Sequence, residues 1–355
     1  MTETEAWLRL GLVSGVGPVA FRQLLSTFGE PEAALGVGAG ELRHLVGEEL
    51  ASAIARGPDP ALLDATLQWL TVPGHRLLTW ADADYPRRLL EIADPPPLLF
   101  AKGQSSLLSR AAIAIVGSRN ATASGAANAE AFARELADSG LTIISGLALG
   151  IDAAAHRGGL SGAASSIAVV GTGLDIVYPA GNRVLAHQIA ERGLLLSELP
   201  LGTKPLAGNF PRRNRLISGL AQGVLIVEAA LHSGSLITAR FALEQGREVF
   251  AVPGSIHSPL SKGCHLLIKQ GAKLTESARD ILEELQVPFR APDIGPARGN
   301  SDSELLAAMG YDPIDLDTLC ARSGLTAETA SAMLLTLELD GRIERLPGGK
   351  FQRIH

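Results

Sequence analysis

The segment that decides the fold reads IAIVGS at 113–118, and after a helical stretch it is followed by LTIISG at 141–146. Both runs are apolar, contain β-branched residues and end in glycine or serine, as expected where a strand turns tightly toward a helix. Four more runs of this kind follow along the chain: SSIAVVG at 165–171, LLLSE at 194–198, GVLIVEA at 223–229 and EVFAVPG at 248–254. Near-continuous apolar strands that alternate with helices indicate a parallel sheet covered on both faces. The sequence therefore predicts an α/β fold whose core is an extended Rossmann-like parallel sheet.

The loops that follow these predicted strands are rich in groups that suit phosphate. Gly117, Ser118 and Arg119 follow the first strand and offer close backbone approach, a hydroxyl and a fixed cation. Ligands of an open parallel sheet bind beyond the carboxyl ends of its strands, and the N–H groups that begin the next helix favour an anion. The third glycine of a dinucleotide-binding G-x-G-x-x-G is missing after Gly171 and Gly173, so we expect no dinucleotide cofactor.

An arginine-rich segment, NFPRRNRLISG at 209–219, is the strongest candidate for an anion site. Arg212, Arg213 and Arg215 fall within four positions, with Asn214 between them. Each guanidinium is a planar fork that matches phosphate oxygens, and the neighbouring sequence is apolar and contains no carboxylate to pair with them. Phe210 stands beside them and could stack a base, which is how single strands are gripped. We therefore favour an anion site here over a solvated surface face.

Three further features leave alternatives open. Ser233, Gly234 and Ser235 open a predicted helix and serve either as ordinary N-caps or as phosphate ligands. Lys262 adds a cation after the last strand. Asp152 and His156 lie four apart, a spacing that would pair them on one helix face, but no nucleophile motif accompanies them.

The charge of the chain is segregated along the sequence. The formal net charge is −6, yet the windows 95–129, 199–227 and 249–275 contain no Asp or Glu and ten of the 31 Lys and Arg residues. These windows carry +10, which leaves −16 (21 basic against 37 acidic residues) for the rest of the chain. Local potential matters more than net charge for an anionic partner, although apolar core segments also avoid carboxylates. The pattern is compatible with a nucleic-acid partner.

The predicted domains are a helical unit at 1–80, the Rossmann-like domain at 81–286, a linker at 287–301 and a C-terminal unit at 302–355. In the first, the Gly15-Val16-Gly17 turn resembles a helix-hairpin-helix, which is either purely structural or a phosphate contact. A Pro-rich stretch at 94–97 marks a boundary or an edge strand. The last unit has the helix, helix and hairpin order of a winged helix. Its candidate recognition helix at 326–340 contains three acids and no Lys or Arg, so we interpret this unit as a protein-interaction or packing module.

Several classes of function are excluded or disfavoured. Two cysteines, Cys264 and Cys320, are too few for a disulfide framework or a zinc cluster, and no metal-ligand spacing, P-loop or G-x-S-x-G elbow is present. No apolar run reaches the roughly 20 residues needed to span a bilayer, and the acidic N-terminus is unlike a secretion signal. We expect a cytoplasmic protein with no membrane, metal or catalytic site. The alternative is a nucleotide-binding or nucleotide-hydrolysing enzyme of Rossmann-like fold, since Glu198 and Glu228 end two strands and could form a carboxylate pair for glycosidic chemistry.

The ordered motifs together closely resemble those of the DNA-processing protein A family (DprA, also called Smf). The similarity spans roughly residues 80–285 and is carried by IVGSR at 115–119, SGLALGIDAAAHRGGL at 145–160, GTGLDIVYPAGN at 171–182, LLLSE at 194–198, FPRRNRLISGL at 210–220, VEAALHSGSLITARFALEQGREVFAVPGS at 227–255 and GCHLLIKQGA at 263–272. Weaker similarity at both ends implies a SAM-like helical N-terminal domain and a C-terminal winged helix.

The resemblance implies a non-enzymatic protein of natural transformation and recombination. Such proteins bind and protect incoming single-stranded DNA, dimerise through the Rossmann-like domain and help to load the RecA recombinase. Carried over by motif, the residues expected to bind single-stranded DNA are Gly117, Ser118, Arg119, Phe210, Arg212, Arg213, Asn214, Arg215 and Lys262.

Overall fold

The main feature of the fold is one large sheet, formed by nine strands among residues 1–288 and 302–354, which the computed structural model describes. Its order is β1-β2-β6-β5-β4-β3-β7-β8-β9. The strands are β1 (His75–Thr79), β2 (Leu98–Gly103), β3 (Ala112–Val116), β4 (Thr142–Ser145), β5 (Ser166–Val169), β6 (Leu194–Ser197), β7 (Gly223–Ile226), β8 (Glu248–Ala251) and β9 (Lys273–Leu274). Buried apolar residues on the two faces of this sheet form the main hydrophobic core.

All six predicted strands are present, as β3 to β8, and they pair in parallel. The central strand β3 pairs with β4 on one side, where Ala114 lies opposite Ile144, and with β7 on the other, where Ala114 lies opposite Val224. Every residue of β3 to β7 is buried, as expected for a parallel sheet covered on both faces. The prediction of an extended Rossmann-like core is confirmed.

Two antiparallel strands extend the sheet at one edge, where β1 pairs with β2 and β2 pairs with β6. Their sequences, HRLLT and LLFAKG, mix polar and apolar residues and lack the continuous β-branched runs of the central strands. The Pro-rich stretch at 94–97 stands directly before the edge strand β2. Strand β1 ends just before residue 80, where the sequence places a domain boundary.

Helices cover the two faces of the sheet. They are α1 (Glu3–Gly11), α2 (Pro18–Phe28), α3 (Pro31–Gly36), α4 (Ala39–Val46), α5 (Glu48–Arg56), α6 (Pro60–Leu70), α7 (Arg87–Leu90), α8 (Ala123–Asp138), α9 (Ile151–Ser161), α10 (Arg183–Arg192), α11 (Asn209–Leu220), α12 (Ser235–Glu244), α13 (Lys262–Lys269) and α14 (Ala278–Glu284). No helix among the described residues combines the length and the apolar character that crossing a membrane requires.

The N-terminal helices share their core with the sheet. Trp7 of α1 and Phe21 of α2 lie in one buried cluster with Leu98 and Phe100 of β2. The Trp69 ring of α6 meets the Phe100 ring edge to face, with 6.2 Å between ring centroids. Since the same side chains fill both units, the helical region and the sheet form one continuous core.

The C-terminal part of the chain has the winged-helix arrangement. Its helices are α15 (Asp302–Met309), α16 (Leu316–Ser323) and α17 (Ala327–Leu339), and its small sheet has the order β10 (Ile314–Asp315), β12 (Lys350–Arg353), β11 (Ile343–Leu346). Gly324 adopts a left-handed conformation that ends α16, and Thr326 caps α17. Most of the predicted linker at 287–301 lies outside the described residues.

The shared core predicts that the helical region and the sheet unfold together. Phe100→Ala should lower the free energy of unfolding by about 3–5 kcal/mol, because it leaves a cavity between Trp69 and the sheet. Tryptophan fluorescence reports on the first 80 residues, and hydrogen exchange of peptides from β3 and β4 reports on the sheet. Both signals should change at the same denaturant concentration. Leu243→Ala, at an exposed leucine of α12, is the control, and two separated transitions would contradict a single core.

Candidate anion-binding site

A cavity of about 770 Å³ opens at the carboxyl end of β3. It lies at the point where the chain order of the sheet reverses, because β4 and β7 flank β3 on opposite sides. The loop after β3, the start of α11 and the start of α12 form its walls. Six of the predicted site residues line it: Gly117, Ser118, Arg119, Phe210, Arg213 and Asn214.

Arg213 is the unusual residue of this cavity, since only 5% of it is exposed. Its Nε and Nη1 groups have no hydrogen-bond partner, and no carboxylate touches it, among the described residues. Burial lowers the pKa of the Arg213 guanidinium to about 10, while the Asp152 carboxylate opposes this effect, so the group stays charged at neutral pH. A buried charged donor without a partner is costly unless an anion fills the place opposite it.

The backbone at Gly146 makes room for this guanidinium. A Cβ atom built there would lie 1.7 Å from Arg213 Nη1, so any larger residue would displace the guanidinium from the loop after β4. The first turns of α9 hold that loop in place through Asp152. Asp152 Oδ2 accepts hydrogen bonds from the backbone N–H groups of Gly146 at 3.0 Å and Ala148 at 3.4 Å.

His156 holds the same loop one residue further along. The N–H of Leu147 donates to His156 Nε2 at 3.2 Å, and Nδ1 lies 2.7 Å from Ser166 Oγ, which itself donates to the Ile143 carbonyl. These roles require a neutral ring that carries its proton on Nδ1. The spacing of Asp152 and His156 on α9 had suggested a pair, but each side chain instead binds the loop beneath Arg213.

The ionisation of these two α9 residues follows from their burial. Burial and the positive charge of Arg213 lower the pKa of His156 to about 3. Burial raises the pKa of Asp152, while Arg213 and the backbone N–H donors favour its charged form. The result is a fixed loop with one carboxylate near Arg213, and Asp152, which carries it, lines the cavity while it accepts hydrogen bonds from the loop backbone.

The loop after β3 and the start of α11 bring a cation and an aromatic ring together. The Arg119 guanidinium carbon lies 5.6 Å from the centre of the Phe210 ring, and Tyr178 packs beside Phe210 with 5.5 Å between ring centroids. Tyr178 is 45% exposed and lines the cavity. Sequence reasoning missed this tyrosine, because the contact joins a loop after β5 to α11 and no spacing in the chain reveals it.

The starts of α8 and α12 differ in their freedom to bind an anion. At the start of α8, the Glu228 carboxylate accepts bonds from Thr122 N at 3.0 Å and Thr122 Oγ1 at 2.6 Å. The chain's own carboxylate therefore occupies that helix end, where the sequence suggested a bound phosphate. At the start of α12 the N-cap residue Gly234 has no side chain, and among the described residues the only side chain that accepts from the first N–H groups is the Ser233 hydroxyl, from Ser235 N at 3.3 Å. The hydroxyls of Ser233 and Ser235 lie 2.7 Å apart on the cavity wall. The positive end of the α12 dipole is thus available to an anion.

The remaining basic residues of the predicted set stand outside the cavity wall. Arg215 Nη2 lies 2.5 Å from Glu198 Oε2, and its Nε lies 3.0 Å from Asp94. Arg212 also contacts Glu198, at 3.3 Å. The sequence near the arginines contains no carboxylate, but the fold brings Glu198 from the end of β6 to meet them. Lys262 is exposed and donates to the Ile256 carbonyl at 2.5 Å.

The carboxylate pair of the alternative hypothesis is not assembled at the cavity. Glu198 binds two arginines and Glu228 caps α8, and neither is among the residues that line the cavity in the described part of the chain. Both carboxylates are therefore already bound by the protein itself.

The buried neutral His156 predicts a specific loss of stability in acid. Its folded pKa of about 3 lies below the usual value of 6.5, so the unfolded chain binds a proton that the folded chain does not. Stability should fall by about 1.4 kcal/mol per pH unit between about pH 6 and pH 4 from this residue alone. Urea unfolding of the wild type and of His156→Gln should show a difference in free energy that shrinks by this amount as the pH falls. His187→Gln, at an exposed histidine of α10, is the control, and a constant difference for His156→Gln would refute the assignment.

Three family models match the chain: DNA recombination-mediator protein A over residues 76–286, a DprA winged helix domain over 289–349 and a DprA-like N-terminal HHH domain over 2–37. Among curated proteins, Protein Smf of Escherichia coli is 45% identical over 298 residues, which cover 81% of this chain and 80% of that protein.

Solved structures agree with this similarity. The X-ray structure of DNA processing protein A from Streptococcus pneumoniae matches with a TM-score of 0.70 and 38% identity, covering 80% of this chain and 98% of that one. The structure of DNA processing protein A from Helicobacter pylori, described with its single-stranded DNA binding mode, matches with a TM-score of 0.55 and 31% identity over 61% of this chain and 98% of that one. The resemblance found in the sequence is confirmed, and the chain belongs to the DNA recombination-mediator protein A family.

Proposed function

We propose that this protein binds single-stranded DNA in the cavity beyond β3 and acts as a recombination mediator in transformation, without catalytic chemistry of its own. The observation that carries the proposal is the buried guanidinium of Arg213, which lines an open cavity and has two N–H groups without a partner among the described residues. A phosphate group in the cavity would supply acceptors to this guanidinium and neutralise its charge.

The surroundings of Arg213 supply the other contacts that a strand needs. Arg119 and the start of α12 offer positive charge for adjacent phosphates. Phe210 and Tyr178 offer ring faces on which bases can stack, irrespective of their sequence. Gly117, Ser118 and Asn214 complete the proposed contact set on the wall.

The geometry favours a single strand over a duplex. Arg213 is almost wholly buried, so a phosphate must enter the cavity to reach it. The aromatic pair can accept only bases that are not already paired and stacked in a helix. A flexible single strand can meet both conditions, whereas a duplex would have to be deformed and unpaired, which costs free energy.

The proposal of a non-enzymatic role draws support from the carboxylates and from His156. Glu198 and Glu228 are bound to arginines and to a helix end, and His156 is neutral and buried beneath a loop. None of these groups is free to act as a general acid or base on a ligand in the cavity.

The family membership extends the proposal to partners. We propose that the protein is a cytoplasmic homodimer that protects incoming single strands and helps to load RecA onto them. Arg212, Arg215 and Lys262 stay in the proposed contact set. Arg212 and Lys262 are exposed outside the cavity wall, whereas Arg215 is buried and pairs with Glu198.

Arg213→Gln should weaken binding of a labelled single-stranded oligonucleotide about 10- to 100-fold, because it removes charge-assisted hydrogen bonds to one phosphate. Fluorescence anisotropy across a salt series should also show a slope smaller by about 0.7, the value for one phosphate of a single strand. Gly146→Ala should reproduce the loss, since its Cβ displaces the same guanidinium.

Arg134→Gln, at an arginine of α8 that is 69% exposed, changes the net charge equally and should leave the affinity unchanged. Arg212→Gln should have a smaller effect than Arg213→Gln, because Arg212 already contacts Glu198. An unchanged affinity and slope in Arg213→Gln would contradict the proposed site.

The role as a mediator is tested with RecA itself. On single strands coated with single-strand-binding protein, the full chain should shorten the lag before RecA hydrolyses ATP, and Arg213→Gln should restore the lag because it no longer holds the strand. Sedimentation velocity on the same protein should give the mass of a dimer. No shortening at concentrations that saturate the DNA would exclude the loading role.

A further inference from the structure

A second cavity, of about 480 Å³, lies at the opposite end of the central strands from the first cavity. It is formed by the segment that leads into α7, by the 3₁₀ turn at Ser105–Ser109 and by Arg110, two residues before β3 begins. Leu220, the last residue of α11, closes its base. The first cavity lies at the carboxyl ends of the parallel strands, and this one lies at the amino end of β3.

The second cavity carries a concentrated positive charge. Four arginines line it, namely Arg76, Arg87, Arg88 and Arg110, against the single carboxylate of Asp84. Arg76 uses that carboxylate, at 3.2 Å, and also donates to Ser105 Oγ at 2.9 Å. The side chains of the other three have no hydrogen-bond or ion-pair partner among the described residues. Arg87 and Arg110 are exposed and Arg88 is half-buried, so the cluster is a local concentration of positive charge in a chain with six more acids than bases.

The backbone around these arginines is fixed in place. The buried Arg247 donates through Nη2 to the Arg88 carbonyl at 2.9 Å, to Glu91 at 2.8 Å and toward the Gly219 carbonyl at 3.5 Å. One guanidinium thereby ties α7 to the end of α11. The bond from Arg76 to Ser105 ties β1 to the 3₁₀ turn on the other side. The backbone segments that carry the arginines are thus held together at two points.

We infer that this cavity binds the phosphodiester backbone of a DNA strand that extends beyond the first cavity. This inference rests on the proposed function and adds a second contact region to it. Phosphate is the ligand that several unpaired guanidinium forks match best. The cavity offers little to a nucleobase: its one aromatic residue, Tyr85, is buried and its hydroxyl donates to the Pro96 carbonyl at 2.7 Å. A site with phosphate contacts and no base contacts suits a backbone rather than a free nucleotide.

The spacing of the two cavities agrees with one continuous strand. The start of α11 lines the first cavity and its end lines the second. Its 12 residues extend for about 18 Å, at about 1.5 Å per residue. That length corresponds to about five nucleotides at a rise of about 3.4 Å. A strand must therefore be longer than the first cavity requires before it reaches the second.

The test compares two labelled oligothymidylates on the full-length protein, one of about 4 and one of about 20 nucleotides, so that only the longer strand exceeds the span of about five nucleotides between the two cavities. The variant replaces Arg87, Arg88 and Arg110 with alanine together. It should bind the short strand within about twofold of the wild type, which also shows that it is folded. It should bind the long strand at least about tenfold more weakly, with a salt slope smaller by about 2, as expected for three lost phosphate contacts.

The control is a variant with Arg134, Arg192 and Arg279 replaced by alanine, which removes the same charge from exposed positions that line neither cavity. It should match the wild type on both strands. If the Arg87, Arg88 and Arg110 variant binds the long strand as tightly as the control, the inference is wrong, while the proposal for the first cavity is unaffected. Titration with inorganic tripolyphosphate is a second measurement. If the variant no longer binds tripolyphosphate but binds the long strand as tightly as the wild type, the cavity binds a free oligophosphate and the inference is wrong. Failure of the wild type to bind either strand would instead refute the proposed function itself.

Discussion

The arrangement of the site depends on one buried positive charge. A guanidinium removed from water loses its hydration, and in a protein interior this is tolerated only when charges and hydrogen-bond acceptors replace the water. Arg213 receives part of that compensation from the field of Asp152, and two of its N–H groups have no partner among the described residues. The absence of a side chain at Gly146 and the neutral ring of His156 follow from the same requirement, since one allows close approach and the other avoids a second buried cation.

Around this charge the fold uses some carboxylates to neutralise helix ends and arginines, and it leaves other positively charged positions without a carboxylate. Glu228 neutralises the start of α8, and Glu198 neutralises Arg215 at the end of β6. The start of α12 and the exposed Arg119 are left without such partners on the cavity wall. The first cavity thereby keeps unmatched positive charge on its wall, although the net charge of the chain is negative. Steering of a polyanion by local potential requires this kind of separation.

Much of the fold could be predicted from the sequence because the central strands are buried on both faces and read as continuous apolar runs. The edge strand β1 could not, since its half-buried sequence lacks a clear period. Within the site, the sequence identified the arginine cluster but could not rank its members. Arg213 differs from Arg212 in being buried, and Arg215 differs from Arg213 in being paired with a carboxylate distant in sequence. Both differences arise only when β6 and α11 pack together. Tyr178 was missed for the same reason.

The most direct test of the account is a crystal structure of the protein with a short oligothymidylate. The distances to measure run from the Arg213 guanidinium nitrogens to the nearest phosphate oxygens. The account predicts a phosphate in the cavity with the shortest of these distances in the range of about 2.7–2.9 Å, as in a charge-assisted pair, and a base against the Phe210 ring. A strand bound elsewhere on the protein, with Arg213 still lacking an anionic partner, would contradict it.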